Sequence, residues 1–412
     1  MSLFQLAALF LTVVAVVSWL NAKLLRLPPG VAMLAAGLIG AAGLYGLSVL
    51  APGLPGVAKA VHVIAAVDFP ETVVGYMLGF LLFAGAMQVD LHELKRRRLA
   101  VWTLATVGVL ASTALVGGGV WLAARGLKLN LPLPWALVFG ALISPTDPVA
   151  VLSTVKHGGL SSGLKAILQG EALFNDGVGI VVFLALLALA AGGGADPAGA
   201  ALSVAVKAGG GLLFGLAAGY GAIQALRTVD DEVAEGAISL ALAAGVYAAA
   251  DALHLSGPVA VVAAGLLMGD LEGRGATTKA GHAHLRAFWA LIDEILNALL
   301  FFLLGLEMLV VAFDPRSAGL WLAAIPLVLV ARLTIVLPWG AYFHLREAER
   351  RPSLLLTWGG LHGALSLALA LSIPPVPEKA LILALTYAVV VFSVGVQGLT
   401  FAPLVAWARK TP

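Results

Sequence analysis

The sequence predicts an all-α polytopic membrane protein with about thirteen transmembrane helices of ordinary span length. Three observations carry that expectation. Of 412 residues, 61% are hydrophobic and only 11% charged, whereas a soluble globular chain is nearer half apolar and a quarter charged. The apolar residues gather into runs long enough to cross a bilayer. The connectors between those runs alternate between many and few basic residues, as the positive-inside rule requires. A soluble core cannot hide so much apolar surface at this length, so the natural solvent is lipid. A cytosolic enzyme, a disordered chain and a nucleic-acid binder are thereby excluded. Twenty-four Lys and Arg against 22 Asp and Glu leave a net charge of +2, too little to recruit a polyanion. With no cysteine, disulfides, iron–sulfur clusters and thiolate zinc sites are ruled out.

Taken in order, the apolar runs lie at 2–20, 28–50, 69–89, 99–124, 133–155, 164–191, 200–226, 235–253, 257–272, 286–312, 317–343, 352–373 and 379–408. No basic segment precedes the first, and Ser18-Trp19-Leu20-Asn21 is a poor cleavage site, so it reads as a crossing and not a secretory signal. Between the second and third, 52–66 carries Lys59 and His62 among small apolar residues and is expected at the interface. The ninth is short, because the polar stretch from Asp270 to Arg286 does not extend it.

Thirteen crossings place seventeen basic residues on one side, Lys95-Arg96-Arg97-Arg98 and Arg350-Arg351 among them. Only five fall on the other: Lys59, Arg125, Lys128, Arg316 and Lys379. The N-terminus is therefore expected outside and the C-terminus in the cytoplasm, in a prokaryotic inner membrane. Residues 1–412 read as a single integral membrane transporter. Gly192-Gly193-Gly194 and Asp230-Asp231-Glu232 are short connectors, and no separate soluble domain is expected. Two sets of six crossings flank a linker helix at 200–226 and begin on opposite sides of the membrane. They are expected to form inverted repeats, 1–191 and 235–412, as in many secondary transporters. Residues 133–191 of the first repeat would carry the ion site.

Ionisable side chains inside lipid are expensive, so they are functional candidates by default. The densest group lies in crossings five and six. In Ser144-Pro145-Thr146-Asp147-Pro148, two prolines three apart remove backbone donors and clash with earlier carbonyls. The expected result is an unwound stretch at mid-membrane, tolerated only where protein or a water-filled cavity covers it. Freed carbonyls there suit a cation, and Asp147 offsets an exposed helix N-terminus. Crossing six carries Gly170-Glu171-Ala172-Leu173-Phe174-Asn175-Asp176-Gly177. Asp176 lies about 18 Å along that helix from Leu164 at 1.5 Å per residue, near mid-bilayer. Glu171 and Asn175 are i,i+4 neighbours on one face, and Asp176 shares the adjacent face with Ala172. A hard monovalent cation wants oxygen ligands, which such a carboxylate supplies. The same carboxylate takes a proton when the ion leaves, which is the minimal chemistry of an antiporter.

Pro145-Thr146-Asp147-Pro148-Val149-Ala150, followed by the Gly170–Gly177 segment, resembles the signatures of the NhaP-type cation:proton antiporters, shared by the eukaryotic sodium/proton exchangers. Phe302-Leu303-Leu304-Gly305-Leu306-Glu307, Ala331-Arg332 and Gly359-Gly360-Leu361-His362-Gly363 fit later parts of the same pattern, in order along nearly the whole chain. The resemblance implies a homodimer, broken and crossed core helices, elevator-type movement, and exchange of Na+ or Li+ for H+. The Asn175-Asp176 pair is similar to the electroneutral branch. Carried over, Asp176 is the ion and proton carrier, with Thr146 and Glu171 as further Na+ or Li+ ligands. Asn175 steadies Glu171, Asp147 stabilises the crossed helices, and Arg332 matches the arginine that pairs with the helix-six glutamate. Two positions depart from the pattern. Ala172 stands where many relatives have a serine, and His362 where many have an arginine. The histidine is able either to contribute a pH response or to stay neutral and hydrogen-bonded at the crossing.

Other polar residues signal less. Glu71 is placed either to line the extracellular approach or to sit at the interface. Glu307, Asp293 and Glu294 are expected at solvated helix ends more than in gating or funnel roles, Lys207 is expected to snorkel, and His282 and His284 are expected at the surface. Gly209-Gly210-Gly211 suits close helix packing. The resulting reading is a secondary antiporter exchanging Na+ or Li+ for H+, one for one. It needs no cofactor and no nucleotide, and its partners are monovalent cations, protons, the bilayer and a second copy. The nearest rival is a K+ or broad-specificity cation/proton antiporter, which Ala172 leaves open. A cation channel would pass current without coupled protons, and a nontransporting scaffold would tolerate neutralisation of Asp176.

Overall fold

The computed structural model describes residues 3–50, 69–147, 159–192, 197–229, 231–270, 279–309, 311, 314–347 and 349–410. Among them every regular element is a helix. Nine helices among the described residues are long and apolar enough to cross a membrane, or ten if the bent pair Pro352–Gly359 and Ala364–Leu371 is one span. Leu78–Gln88, Leu133–Ile143 and Gly257–Met268 are shorter apolar helices. The predicted interfacial segment 52–66 and the second part of the fifth predicted crossing, from Pro148 onward, lie outside the described residues.

Local chemistry sets several helix ends. The Asp231 carboxylate accepts from the Ala234 N–H at 2.7 Å and opens Glu232–Ala252. Ser256 caps Gly257–Met268, with Pro258 in the first turn, where its missing N–H costs nothing. The tenth predicted crossing starts at Lys279, earlier than the apolar run suggested. Its first turns are amphipathic: His282, Leu285 and Trp289 are buried on one face while His284 and Arg286 are exposed. Counting apolar runs misses such a start, because only every third or fourth residue is apolar. Trp289 fixes that face, donating to Ser239 Oγ at 3.0 Å and lying 4.6 Å from the Phe83 ring.

The described helices cluster into two compact units. The first comprises Met1–Val73, Leu110–Ser161 and Asn297–Pro412. Here Pro29–Leu50 meets the end of the Lys279–Leu306 helix through glycines. A Cβ on Gly37 would strike the Phe302 carbonyl oxygen and lie 2.8 Å from Gly305 Cα. Tyr387 holds the same place, its hydroxyl reaching the Leu304 and Gly305 carbonyls at 3.3 and 3.4 Å. Gly37→Val is therefore expected to destabilise by about 1–3 kcal/mol or more. Gly43→Val, with nothing within 4 Å of its Cβ, should be nearly silent. Thermal unfolding of the two variants in detergent checks the contrast.

The second unit comprises Val74–Val109 and Ser162–Leu296. The Ser162–Ala190 helix packs there against Leu78–Gln88, Leu91–Arg96, Arg98–Thr103 and Gly257–Met268. Gly170 lets Leu94 and Val101 approach, and Trp102 stacks on Phe174 with centroids 4.7 Å apart. Pro197–Leu226 lies against Gly257–Met268, with Gly215 directly on the Ala260 backbone and Gly211 near Ser256. Gly210 meets Leu255, while Gly209 has open space, so only part of the predicted glycine packing is used.

Candidate functional site

In the first unit the candidate residues gather where two helices are interrupted. Leu133–Ile143 ends at Ser144, whose hydroxyl donates to Gly140 O at 2.6 Å and lies 3.1 Å from Thr113 Oγ1. Pro145 has no N–H to offer, so Ser144–Asp147 continues outside the helix. The second interruption, Gly360–Gly363, separates Pro352–Gly359 from Ala364–Leu371, bent by 44°. The twelfth predicted crossing is thus two half-helices.

Two hydrogen bonds join these gaps. The Asp147 main-chain N–H donates to Leu361 O at 2.7 Å. His362 Nδ1 lies 3.1 Å from Pro145 O, which fixes that nitrogen as the donor. Backbone groups that helices would have satisfied are thus served across the gaps, the Asp147 N–H by the Leu361 carbonyl and the Pro145 carbonyl by the His362 side chain, as buried backbone must be. Thr146 and His362 are both buried here. The structure gives His362 the hydrogen-bonded position at the crossing.

The half-helix ends are electrostatically matched. Asp147 lies against Gly363, the residue that precedes Ala364–Leu371; a Cβ there would be 2.6 Å from Oδ2. Its negative charge sits at a helix N-terminus, where the macrodipole favours it. At the other side of the gap, Arg332 Nε and Nη2 each lie 3.4 Å from Leu356 O, in the last turn of Pro352–Gly359. Its guanidinium covers Gly360, and the cation stands where the dipole favours positive charge.

Sequence reading missed the support behind this crossing. The His362 N–H donates to Ser393 Oγ at 3.0 Å, Ser393 donates to Gln397 at 2.6 Å, and Gln397 Nε2 reaches Trp358 O at 3.2 Å. Ser393–Gln397 is a π-helical turn within the last span, a distortion common at functional positions. The available signal was a pair of polar residues, Ser393 and Gln397, four apart in an apolar run.

In the second unit the other candidates share the Ser162–Ala190 helix. Glu171, Ala172 and Asn175 are buried, and Asp176 is half-buried. Asp176 is near the centre of this 29-residue helix, which is about 43 Å long at 1.5 Å per residue. The next residue, Gly177, faces Val259. The neighbours of Asp176 one turn away on the helix, Ala172, Leu173, Gly179 and Ile180, are small or apolar.

The weaker expectations divide. Lys207, Glu71 and Glu294 are exposed, whereas Glu307 is buried and not at a solvated end. A 3-10 turn, Glu307–Leu309, folds it back against Pro29–Leu50. Asp293 is half-buried and accepts from Gln88 at 3.4 Å. His282 is buried on the amphipathic face rather than at the surface, while exposed His284 pairs with Glu232 at 2.5 Å.

A family model described as "Sodium/hydrogen exchanger, transmembrane" matches residues 10–407. The chain is 39% identical over 409 residues to the Na(+)/H(+) antiporter NhaP of Pseudomonas aeruginosa, covering 97% of this chain and 96% of that one. It is 36% identical to the Na(+)/H(+) antiporter NhaH of Halobacillus aidingensis, covering 97% and 95%. The fold resembles that of the sodium proton antiporter MjNhaP1 from Methanocaldococcus jannaschii, with a TM-score of 0.73, 20% identity, and 99% and 98% coverage. Interrupted helices, intramembrane acidic residues and a match over nearly the whole length agree: the chain is an integral membrane protein that belongs to the sodium/hydrogen exchanger family.

Proposed function

We propose that this protein exchanges Na+ or Li+ for H+ across the membrane, one for one, with Asp176 binding either cation or proton. The observation that carries this reading is the position of Asp176: half-buried at the centre of an apolar spanning helix, one residue from buried Asn175 and five from buried Glu171. An ionisable residue at that depth is a functional candidate by default, and a carboxylate is the group that takes a metal cation or a proton by turns. Exchange of those two states across the membrane, without a net charge moved per cycle, is electroneutral antiport. Glu171 and Thr146 supply further oxygens to Na+ or Li+, Asn175 steadies Glu171, and Arg332, Asp147 and His362 hold the helix interruptions in shape. Close relatives bearing Na(+)/H(+) antiporter names support the ion pair.

The transport cycle we infer is elevator-type alternating access, in a homodimer with N-terminus outside and C-terminus in the cytoplasm. The alternating basic connectors support that orientation. Inverted repeats at 1–191 and 235–412, joined by the 200–226 helix, with 133–191 as core, belong to the same reading.

One observation favours a second reading. Ala172 is buried and brings no oxygen to the site helix, so cation selectivity rests on fewer ligands, and K+ exchange becomes the alternative. Purified protein in liposomes with an acid interior is the test. External Na+ or Li+ should collapse the pH gradient, and K+ should do so far more weakly. Equal rates with K+ would replace the ion assignment and leave the exchange mechanism standing. Current without proton movement would overturn antiport.

A further inference from the structure

The last turn of Ala318–Glu347, the start of Pro352–Gly359 and the last turn of Gly398–Lys410 meet in the first unit. Arg350 Nη1 donates to the Arg409 carbonyl at 2.5 Å. Arg351 lies over the Trp407 ring, its Cζ 3.7 Å from the centroid. Arg351 holds left-handed backbone angles, φ 50° and ψ 44°, which L side chains adopt only at a cost. The connecting turn is closed by Glu349 N–H to Phe343 O at 3.3 Å and by His344 against Glu349 O at 2.8 Å. Arg346, Arg350 and Arg409 are exposed at this corner, with Arg351 half-buried. Among the described residues no carboxylate pairs with any of these four. Glu347 and Glu349 are the acidic groups on the same turn, and both are half-buried.

An apolar wall adjoins the guanidinium groups. Trp407 is 44% exposed and Leu345 80%, and Leu399 continues the exposed face along Gly398–Lys410. A charged rim above an exposed apolar wall with a tryptophan at the boundary is the anatomy of a membrane–water interface. We propose that this corner binds the phosphate of an anionic phospholipid, whose acyl chains lie along Trp407 and Leu399. Charge complementarity selects an anion, and the apolar wall selects a lipid over free phosphate. Trp407 also holds the Arg351 guanidinium flat, so that its outer N–H groups remain available to the headgroup. Occupancy fastens the start of the half-helix Pro352–Gly359, whose other end is the interruption at Gly360.

Native mass spectrometry of the full-length protein, offered equal amounts of phosphatidylglycerol and phosphatidylcholine, tests this. The protein should retain phosphatidylglycerol with about tenfold preference, and millimolar inorganic phosphate should not displace it. Arg350→Gln/Arg351→Gln should lose the preference, while Arg350→Lys/Arg351→Lys should keep most of it. Arg125→Gln removes a similar Arg-over-Trp contact, 4.9 Å above Trp121, and should change nothing. If the glutamine pair fails to fold, Trp407→Leu carries the test and should weaken retention. Equal retention of both lipids, full preference in the glutamine pair or in Trp407→Leu, or loss in Arg125→Gln would each overturn the proposal. Displacement by phosphate would make the corner a free-anion site and overturn the lipid.

Discussion

Asp176→Asn is expected to reduce Na+- and Li+-driven proton movement by at least about two orders of magnitude, to the leak of empty vesicles. The substitution keeps shape and polarity but removes the carboxylate at the centre of the Ser162–Ala190 helix. Without that charge the site neither offsets a cation nor releases a proton. The side chain is half-buried, so the amide should fit and the unfolding temperature should change little. Asn175→Ala should slow exchange without abolishing it, because its role is to steady Glu171. A scaffold that does not transport would tolerate Asp176→Asn. Liposome pH-gradient measurements on both variants, with unfolding curves alongside, separate these outcomes.

Gly363→Ala should damage the crossing itself. The backbone at Gly363, φ −118°, suits any residue, so the penalty comes from space and not conformation. The added Cβ would lie 2.6 Å from Asp147 Oδ2 and 3.0 Å from Asp147 Cβ. Either the carboxylate leaves the N-terminus of Ala364–Leu371 or the two gaps separate, and overpacking of this kind costs about 1–3 kcal/mol. Exchange should fall at least about tenfold. Asp147→Ala alone should cost up to about 2 kcal/mol through the lost dipole interaction. It also clears room for the methyl group that Gly363→Ala adds. The double variant should therefore be less destabilised than the sum of the singles, a coupling that adjacent residues show and distant ones do not. Additive losses in chemical unfolding would mean that Asp147 and Gly363 do not share one site.

Much of this architecture was legible because lipid leaves few choices. Long apolar runs must be helices, and the Pro145–Pro148 spacing marks where one of them stops. The Asp176 helix was readable because acidic residues are rare in such runs. What the sequence concealed depended on pairing across distance. The twelfth span reads as one apolar run, yet it is divided at Gly360–Gly363, because Asp147 and His362 supply partners that only the folded chain brings near. Ser393 and Gln397 looked like ordinary polar residues in a final helix until their bonds to His362 and Trp358 placed them behind the crossing. Glu307 seemed to end a helix in solvent, but a 3-10 turn buries it. The start of Lys279–Leu306 was hidden for a different reason: an amphipathic turn lacks the continuous apolar run that marks a span.

The central claim is that one carboxylate carries cation and proton by turns. Its most direct measurement is proton release when Na+ is added to the purified protein in weakly buffered detergent solution, followed with a pH dye. Competition at Asp176 predicts release of about half a proton per Na+ bound at the midpoint of the site's titration, rising toward about one below it, and none from Asp176→Asn. Release that persists undiminished in Asp176→Asn, or its absence from a native protein that still exchanges the two ions, would contradict the account.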